Sequence, residues 1–196
     1  MRAFLLFSCF LLLVSCKSNQ LTANSPEKYD LEVLAEVISE DRLDEIYPSS
    51  NKTEGTELFE EGTVEHPYTI LYPKTPDNIL IIWQDEDHTK LHQIYIDKES
   101  RWRSNTGIRI GSTYDEVVEI NGAPIKFYGF GWDHSGAVDW NMGGLAKSNI
   151  RVFLAPQIAP PKDFYTDKVI ETTDDEIDNM KLRVRAILFQ APDADK

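Results

Sequence analysis

Short apolar runs of strand length, separated by turn residues, constrain this chain more than any other feature of its sequence. Four runs alternate or are wholly apolar in the way of β-strands: residues 79–83, 93–96, 150–154 and 182–189. Weaker strands are predicted at 56–59 and 69–72, and another begins within 125–130. Because residues 79–83 and 93–96 flank a polar turn, we expect them to form an antiparallel hairpin.

A short helix with clear end signals is predicted between these runs. Ser112 or Thr113 can cap its first turn, where acidic residues suit the helix dipole. Gly122 follows Asn121 in a pattern typical of a left-handed helix end, and Pro124 prevents the helix from resuming. Strands and short helices together predict an α+β fold, an antiparallel sheet covered on one face by a few short helices.

Pairs of similar segments indicate that the folded part contains two diverged helix-plus-strands units. The pairs are 39–48 with 113–122, 78–83 with 149–154, and 91–96 with 182–187. In the first pair, both Ser39 and Thr113 are expected to cap a helix. The predicted division is 29–98 for the first unit, 99–190 for the second with an acidic insertion at 156–180, and 191–196 for a polar tail.

The first fifteen residues are typical of a cleaved signal peptide. Arg2 precedes an apolar stretch that is shorter than the about 20 residues needed to span a membrane. The stretch ends in Leu-Val-Ser-Cys, which resembles the lipobox of bacterial lipoproteins. The resemblance implies cleavage before Cys16 and attachment of palmitate-type acyl chains to Cys16, and hence a membrane anchor. Lys17 favours the outer membrane, and residues 16–28 are predicted to be a lipidated, flexible tether.

Charge and composition exclude several functional classes. The chain has 20 Lys and Arg against 33 Asp and Glu, and its net charge of −13 disfavours nucleic-acid binding. Two cysteines are too few for a disulfide framework or a cysteine-rich zinc site. No phosphate-binding loop, dinucleotide fingerprint or zinc-protease motif is present. We therefore predict no cofactor and no metal.

The segment 129–144 combines glycine and tryptophan densely and supplies the candidate binding residues Trp132, Asp133, His134 and Trp140. Indole faces can stack on sugar rings or on apolar side chains, and glycines let the backbone approach a ligand. The alternative is a glycine-kinked strand with its tryptophans in the core. Between these extremes, we expect Trp132 to be buried and Trp140 to be partly exposed on a loop.

Two further clusters carry alternative interpretations. Asp85, Glu86, Asp87 and His88, with His92 nearby, offer ligands for Ca²⁺ or Zn²⁺, but their place between two strands favours a solvated turn. Asp133 and His134 could belong to a hydrolase, and Asp133 with Asp139 could form a glycosidase pair. No nucleophile elbow accompanies them, so no catalytic residue is predicted.

Residues 110–117 and 121–124 resemble a pattern of small outer-membrane lipoproteins of the SmpA/OmlA (BamE-like) type. Proteins of the β-lactamase-inhibitor-protein fold carry similar units in tandem. Residues 129–133 (Gly-Phe-Gly-Trp-Asp) look like an uncharacterised group of bacterial lipoproteins. These resemblances imply an envelope location and a non-enzymatic protein-binding or scaffolding role with an envelope protein partner. A carbohydrate-binding module that uses Trp132 and Trp140 is the alternative.

Overall fold

The computed structural model describes residues 21–59, 62–170 and 172–192. Its six-stranded antiparallel sheet has the order β1-β2-β3-β4-β8-β7, and β5 and β6 form a separate two-stranded ribbon. The strands are β1 (Thr53–Phe59), β2 (Val64–Leu71), β3 (Ile79–Trp83), β4 (Leu91–Ile96), β5 (Lys126–Phe127), β6 (Val138–Asp139), β7 (Ile150–Ala155) and β8 (Arg183–Gln190). The helices are α1 (Leu31–Ser39), α2 (Leu43–Ile46), α3 (Tyr114–Asn121) and α4 (Asp174–Met180). The predicted α+β fold is confirmed.

One face of the sheet carries the hydrophobic core. Alternate residues on the strands point to this face and are almost fully buried, including Ile79, Ile81, Ile94, Ile96, Val152 and Ile187. Helix α1 lies against β4 and contributes Leu31, Leu34, Val37 and Ile38. Because α1 repeats apolar residues at helical spacing, it buries one stripe against the sheet and leaves Glu36 in solvent.

Helix α3 begins and ends where its sequence predicts. The Thr113 hydroxyl accepts a hydrogen bond from the Glu116 backbone N–H at 3.2 Å, and the Glu116 carboxylate accepts one from the Thr113 N–H at 2.8 Å. These reciprocal bonds form a capping box. Gly122 has φ of 68°, the left-handed conformation that ends the helix. In the acidic insertion, Thr173 caps α4 by the same reciprocal arrangement.

The two similar hairpins, β3–β4 and β7–β8, lie side by side through the β4–β8 pair. Each has a register shift at the same aligned position, between Ile82 and Trp83 in one and between Phe153 and Leu154 in the other. The predicted helix cap at Ser39 is wrong, although α2 does lie within the aligned segment 39–48. Ser39 caps no helix, because it is the last residue of α1. The duplication itself stays a prediction.

The chain lies against the domain earlier than the sequence predicts. Leu21 packs on the core, and its carbonyl accepts a hydrogen bond from Arg42 at 3.1 Å. The Lys28 carbonyl accepts one from the Tyr47 hydroxyl at 2.5 Å. A flexible tether that reaches residue 28 is therefore wrong for residues 21–28. Cys16, residues 1–15 and the end of the predicted polar tail lie outside the described residues. No helix in the described ranges is long and apolar enough to span a membrane.

Candidate functional site

The segment that follows α3 runs beside β7, the last strand of the sheet. The Leu154 N–H donates to the Gly136 carbonyl at 2.7 Å, and Ala137 pairs with Phe153 as an antiparallel bridge. Gly136 has φ of 71°, and a Cβ atom there would lie 1.9 Å from the Leu154 carbonyl oxygen. Only glycine can therefore hold the chain this close to the sheet edge. Beyond this bridge β6 still contacts β7, and residues of both strands line one cavity, which we call the wedge.

The wedge is a cavity of about 650 Å³. This volume falls within the range of small-ligand sites, about 300–1,000 Å³. The residues that line it are Tyr128, Trp132, His134, Ala137, Val138, Asp139, Trp140, Asn141, Met142, Ala146, Ser148, Ile150, Arg151, Val152 and Phe153. The structure thus brings together three of the four predicted binding residues. Asp133 is exposed and lies outside this lining.

Trp132 forms an aromatic wall of the cavity. Its indole N–H donates to the Gly129 carbonyl at 3.0 Å, so the polar atom of the ring already has a partner. The indole packs edge-on against Tyr128, with centroids 5.8 Å apart, and lies 5.0 Å from the tilted ring of His134. The side chain remains half-buried. Aromatic neighbours therefore fix the orientation of a tryptophan that still presents surface to a ligand.

Trp140 also lines the cavity but belongs to the core. Only 9% of it is exposed, and its indole N–H donates to the Ile150 carbonyl at 3.2 Å. The sequence-based expectation for the two tryptophans is therefore wrong in both parts. Trp132 finds its hydrogen-bond partner locally and stays near the surface, whereas the partner of Trp140 lies on β7.

A tight turn at the rim of the cavity holds two residues in left-handed conformation. Asn141 and Met142 have φ of 46° and 62°, and the Gly143 N–H donates to the Trp140 carbonyl at 2.8 Å. Such a backbone is unfavourable for methionine. Met142 is nevertheless 93% exposed, the most exposed large apolar side chain in the described part of the chain.

A buried asparagine at the end of α3 holds this turn. The Asn121 amide nitrogen donates to the carbonyls of Trp140 at 3.0 Å and Ala123 at 2.9 Å. Its amide oxygen accepts from the Leu145 N–H at 3.2 Å, and its backbone carbonyl accepts from the Gly144 N–H at 2.7 Å. Asn121 is almost fully buried, and a buried polar group without a hydrogen-bond partner destabilises the folded state. These hydrogen bonds are therefore important for stability. The cavity rim is therefore coupled to the helix end.

Opposite charges line the two sides of the wedge. Continuing the register of the Ala137–Phe153 bridge puts Asp139 across from Arg151. An Asp139 carboxylate oxygen accepts a hydrogen bond from the Asn141 N–H at 2.9 Å, which fixes the carboxylate. Among the described residues no salt bridge joins Asp139 to Arg151. A ligand between them can therefore donate to the carboxylate and accept from the guanidinium.

The cluster of acidic residues and histidines between β3 and β4 stabilises a turn. The Asp85 carboxylate accepts hydrogen bonds from the N–H groups of Thr89 at 2.9 Å and Lys90 at 3.1 Å, and from the Thr89 hydroxyl. The Thr89 hydroxyl is the main cause that lowers the pKa of Asp85. His88 stacks on Trp83 with centroids 5.3 Å apart, and His92 instead stacks on the ring of His66. Within residues 21–59, 62–170 and 172–192, no group of three or more potential ligands is arranged to hold a metal ion.

Sequence reasoning missed three residues of this site, Asn121, Met142 and Arg151. The sequence marked Asn121 only as part of the Asn-Gly pair that ends α3. Arg151 is the outward-facing residue of an otherwise apolar strand, which is an ordinary pattern. The register that places Arg151 beside Asp139 depends on contacts between distant parts of the sequence, and local patterns do not reveal it.

Comparison with solved structures finds weak similarity in fold. No protein-family model matches the chain, and no curated protein matches its sequence. A solved structure, the uncharacterized protein yfeY from Escherichia coli, is similar with a TM-score of 0.43 and 14% identity. The similarity covers 72% of this chain and 82% of yfeY.

Proposed function

We propose that this chain is a lipid-anchored, non-enzymatic binding protein of the bacterial cell envelope, and that the Trp132 cavity binds carbohydrate. The cavity carries the proposal, because it combines an aromatic wall with a fixed carboxylate and a guanidinium. Pyranose rings have apolar faces that pack on indoles, and their hydroxyls both donate and accept hydrogen bonds. Asp139 and Arg151 match those two roles.

The envelope location rests on the N-terminal sequence. A short apolar stretch that ends in Leu-Val-Ser-Cys supports lipidation of Cys16, and Lys17 in place of aspartate supports the outer membrane. Several acyl chains give an essentially permanent anchor at about 0.8 kcal/mol per buried CH₂. Residues 110–124, which carry the SmpA/OmlA resemblance, include the capped helix α3 and its glycine stop. This is compatible with membership in such a group.

The arrangement around the cavity supports binding over hydrolysis. The ring of His134 lies tilted against Trp132, and Asp133, its neighbour in sequence, does not line the cavity. The Ser148 hydroxyl in the cavity lining donates to the Leu145 carbonyl at 2.8 Å, and the Ser135 hydroxyl accepts a hydrogen bond from the Gly131 N–H at 3.2 Å. These groups do not form the nucleophile, base and orienting acid of a hydrolytic triad.

Isothermal titration calorimetry tests the proposal by measuring the affinity of the full chain for neutral and charged monosaccharides and for short glycans. Trp132→Ala should weaken binding at least about tenfold, because stacking and burial on the indole contribute about 1.4 kcal/mol or more. Tyr165→Ala is the matched control, since this exposed aromatic residue lies outside the cavity lining. Wild-type protein that binds no sugar, or equal binding by both variants, would contradict the carbohydrate assignment.

The nearly fully exposed Met142 favours a second function, protein binding. A flexible thioether on a rigid turn is a suitable apolar anchor for a partner protein. In-cell crosslinking followed by purification of the lipoprotein distinguishes the two functions. A partner lost with Met142→Ser but kept with Trp132→Ala would indicate protein binding at the rim.

A further inference from the structure

We infer that β1 is a docking edge for an extended, positively charged segment of another protein, which adds a strand to the sheet. This surface is separate from the Trp132 cavity, which lies at the opposite edge of the sheet beside β7.

The two edges of the sheet are built differently. The β7 edge is covered, since Leu154 bonds to Gly136 and Ile150 accepts from the Trp140 indole. The β1 edge pairs with β2 alone and has no further strand beside it in the described part of the chain. An unpaired edge presents a row of backbone N–H and C=O groups that can template an additional strand.

Strand β1 has no register shift and no proline, two of the features that block edge pairing. It pairs with β2 over all seven residues without a register shift, from Thr53 opposite Ile70 to Phe59 opposite Val64. Both β3–β4 and β7–β8 contain such shifts. Its sequence, Thr-Glu-Gly-Thr-Glu-Leu-Phe, contains no proline or lysine. A regular strand of this length offers enough backbone for a stable added strand.

Exposed apolar side chains lie at the same hairpin. Leu58 is 57% exposed and Val64 is 37% exposed, and these are two of the five exposed large apolar residues in the described ranges. Leu58 lies opposite Glu65, and Val64 lies opposite Phe59. Because Leu58 is on β1 itself, an added strand beside β1 can bury apolar surface as well as form backbone hydrogen bonds.

Charge identifies the kind of occupant. Glu54 and Glu57 project from opposite faces of β1, because their positions differ by an odd number. Glu65 lies on the partner strand beside Leu58. Because Lys52 pairs with Glu54 at 3.5 Å, Glu57 and Glu65 supply most of the attraction for a cationic strand. A second copy of a chain with net charge −13 would be repelled from this edge, whereas a lysine- or arginine-bearing strand is attracted to it.

Titration of the isotope-labelled full chain with a capped octapeptide that alternates lysine with valine tests the inference. We expect backbone amide shifts confined to β1 and its neighbours. The same peptide methylated at every backbone nitrogen keeps its charge but cannot donate hydrogen bonds, and should bind at least about tenfold more weakly. A peptide with glutamate for lysine should not bind. Glu57→Gln, on the exposed face, should weaken binding roughly twofold to fivefold.

The outcomes separate this inference from the carbohydrate proposal, because Trp132→Ala should leave peptide binding unchanged. If the methylated peptide binds as tightly as the unmethylated one, charge attraction alone explains the binding, and strand addition is overturned. Shifts that map to β7 or the cavity, or an absence of binding at millimolar peptide, would also overturn it. Concentration-dependent dimerisation through β1 would identify a second copy as the occupant instead.

Discussion

Replacing Gly136 with alanine tests whether the cavity depends on close contact between two backbone segments. In the structure, an added Cβ would lie 1.9 Å from the Leu154 carbonyl oxygen and 3.1 Å from the Leu154 nitrogen. Both atoms belong to the backbone of β7, so no side-chain rotation can relieve the overlap. The segment must move away from the sheet edge, and the 2.7 Å bond from the Leu154 N–H to Gly136 must lengthen or break.

Gly122→Ala is the matched control for this substitution. Gly122 has nearly the same left-handed φ, 68° against 71°, but nothing lies within 4 Å of its ideal Cβ. Its substitution should therefore cost only the backbone strain, about 1–2 kcal/mol. Gly136→Ala adds about 1 kcal/mol for the lost hydrogen bond and about 1–3 kcal/mol for overpacking, which totals about 3–6 kcal/mol.

Guanidinium unfolding curves of the two variants and the wild type measure this difference directly. We expect the midpoint of Gly136→Ala to fall well below that of Gly122→Ala, with a gap of about 2–4 kcal/mol in the free energy of unfolding. A gap below about 1 kcal/mol would refute the close approach of Gly136 to β7. The wedge geometry built on that contact would then be wrong as well.

Three other changes probe the anchor, the tryptophans and an ion pair. Cys16→Ser should abolish incorporation of labelled palmitate, whereas Cys9→Ser should not. If the wild-type protein itself takes up no labelled palmitate, the prediction of lipidation is wrong. Iodide should quench the wild type and Trp140→Phe, but much less Trp132→Phe, because Trp132 supplies the accessible indole. The guanidinium of Arg101, 2.5 Å from the Asp77 carboxylate, lowers the pKa of Asp77 by hydrogen bonding to it. Its stabilising effect is therefore present above an unfolded pKa of about 3.9 and lost as pH falls, so Asp77→Asn should unfold less steeply with acid than the wild type.

Local signals explain which elements could be predicted from the sequence. The strands follow from apolar period, and α3 follows from Thr113, Glu116 and the Asn-Gly stop, all within one short segment. The helix cap expected at Ser39 is wrong, because Ser, Asp and Glu residues around a helix end resemble those at a helix start. Ser39 bonds back to the Glu36 carbonyl at 2.8 Å, as residues in a last turn commonly do.

The exposure of the two tryptophans could not be predicted, since it depends on which carbonyl each indole N–H meets. Trp132 bonds to Gly129, three residues away, and needs no other element to satisfy its polar atom. Trp140 bonds to Ile150 on β7, so its burial requires the segment to have docked on the sheet. The composition and spacing of the segment are the same whether a given tryptophan is exposed or buried. The difference comes from the docking of the segment on β7, with Ala137 paired to Phe153.

Protection of the β7 edge and formation of the cavity have the same structural origin. The chain covers β7 tightly at Gly136, and the buried Asn121 amide binds the Trp140 carbonyl and holds the following turn in place. A continuous strand along β7 would leave no space for a ligand, and an unattached loop would leave the cavity unshaped. Because two fixed contacts define the wedge before any ligand arrives, binding requires little further ordering of the chain. The rigid cavity at one edge and the open strand at the other therefore suit different ligands, a compact ring for the first and an extended chain for the second.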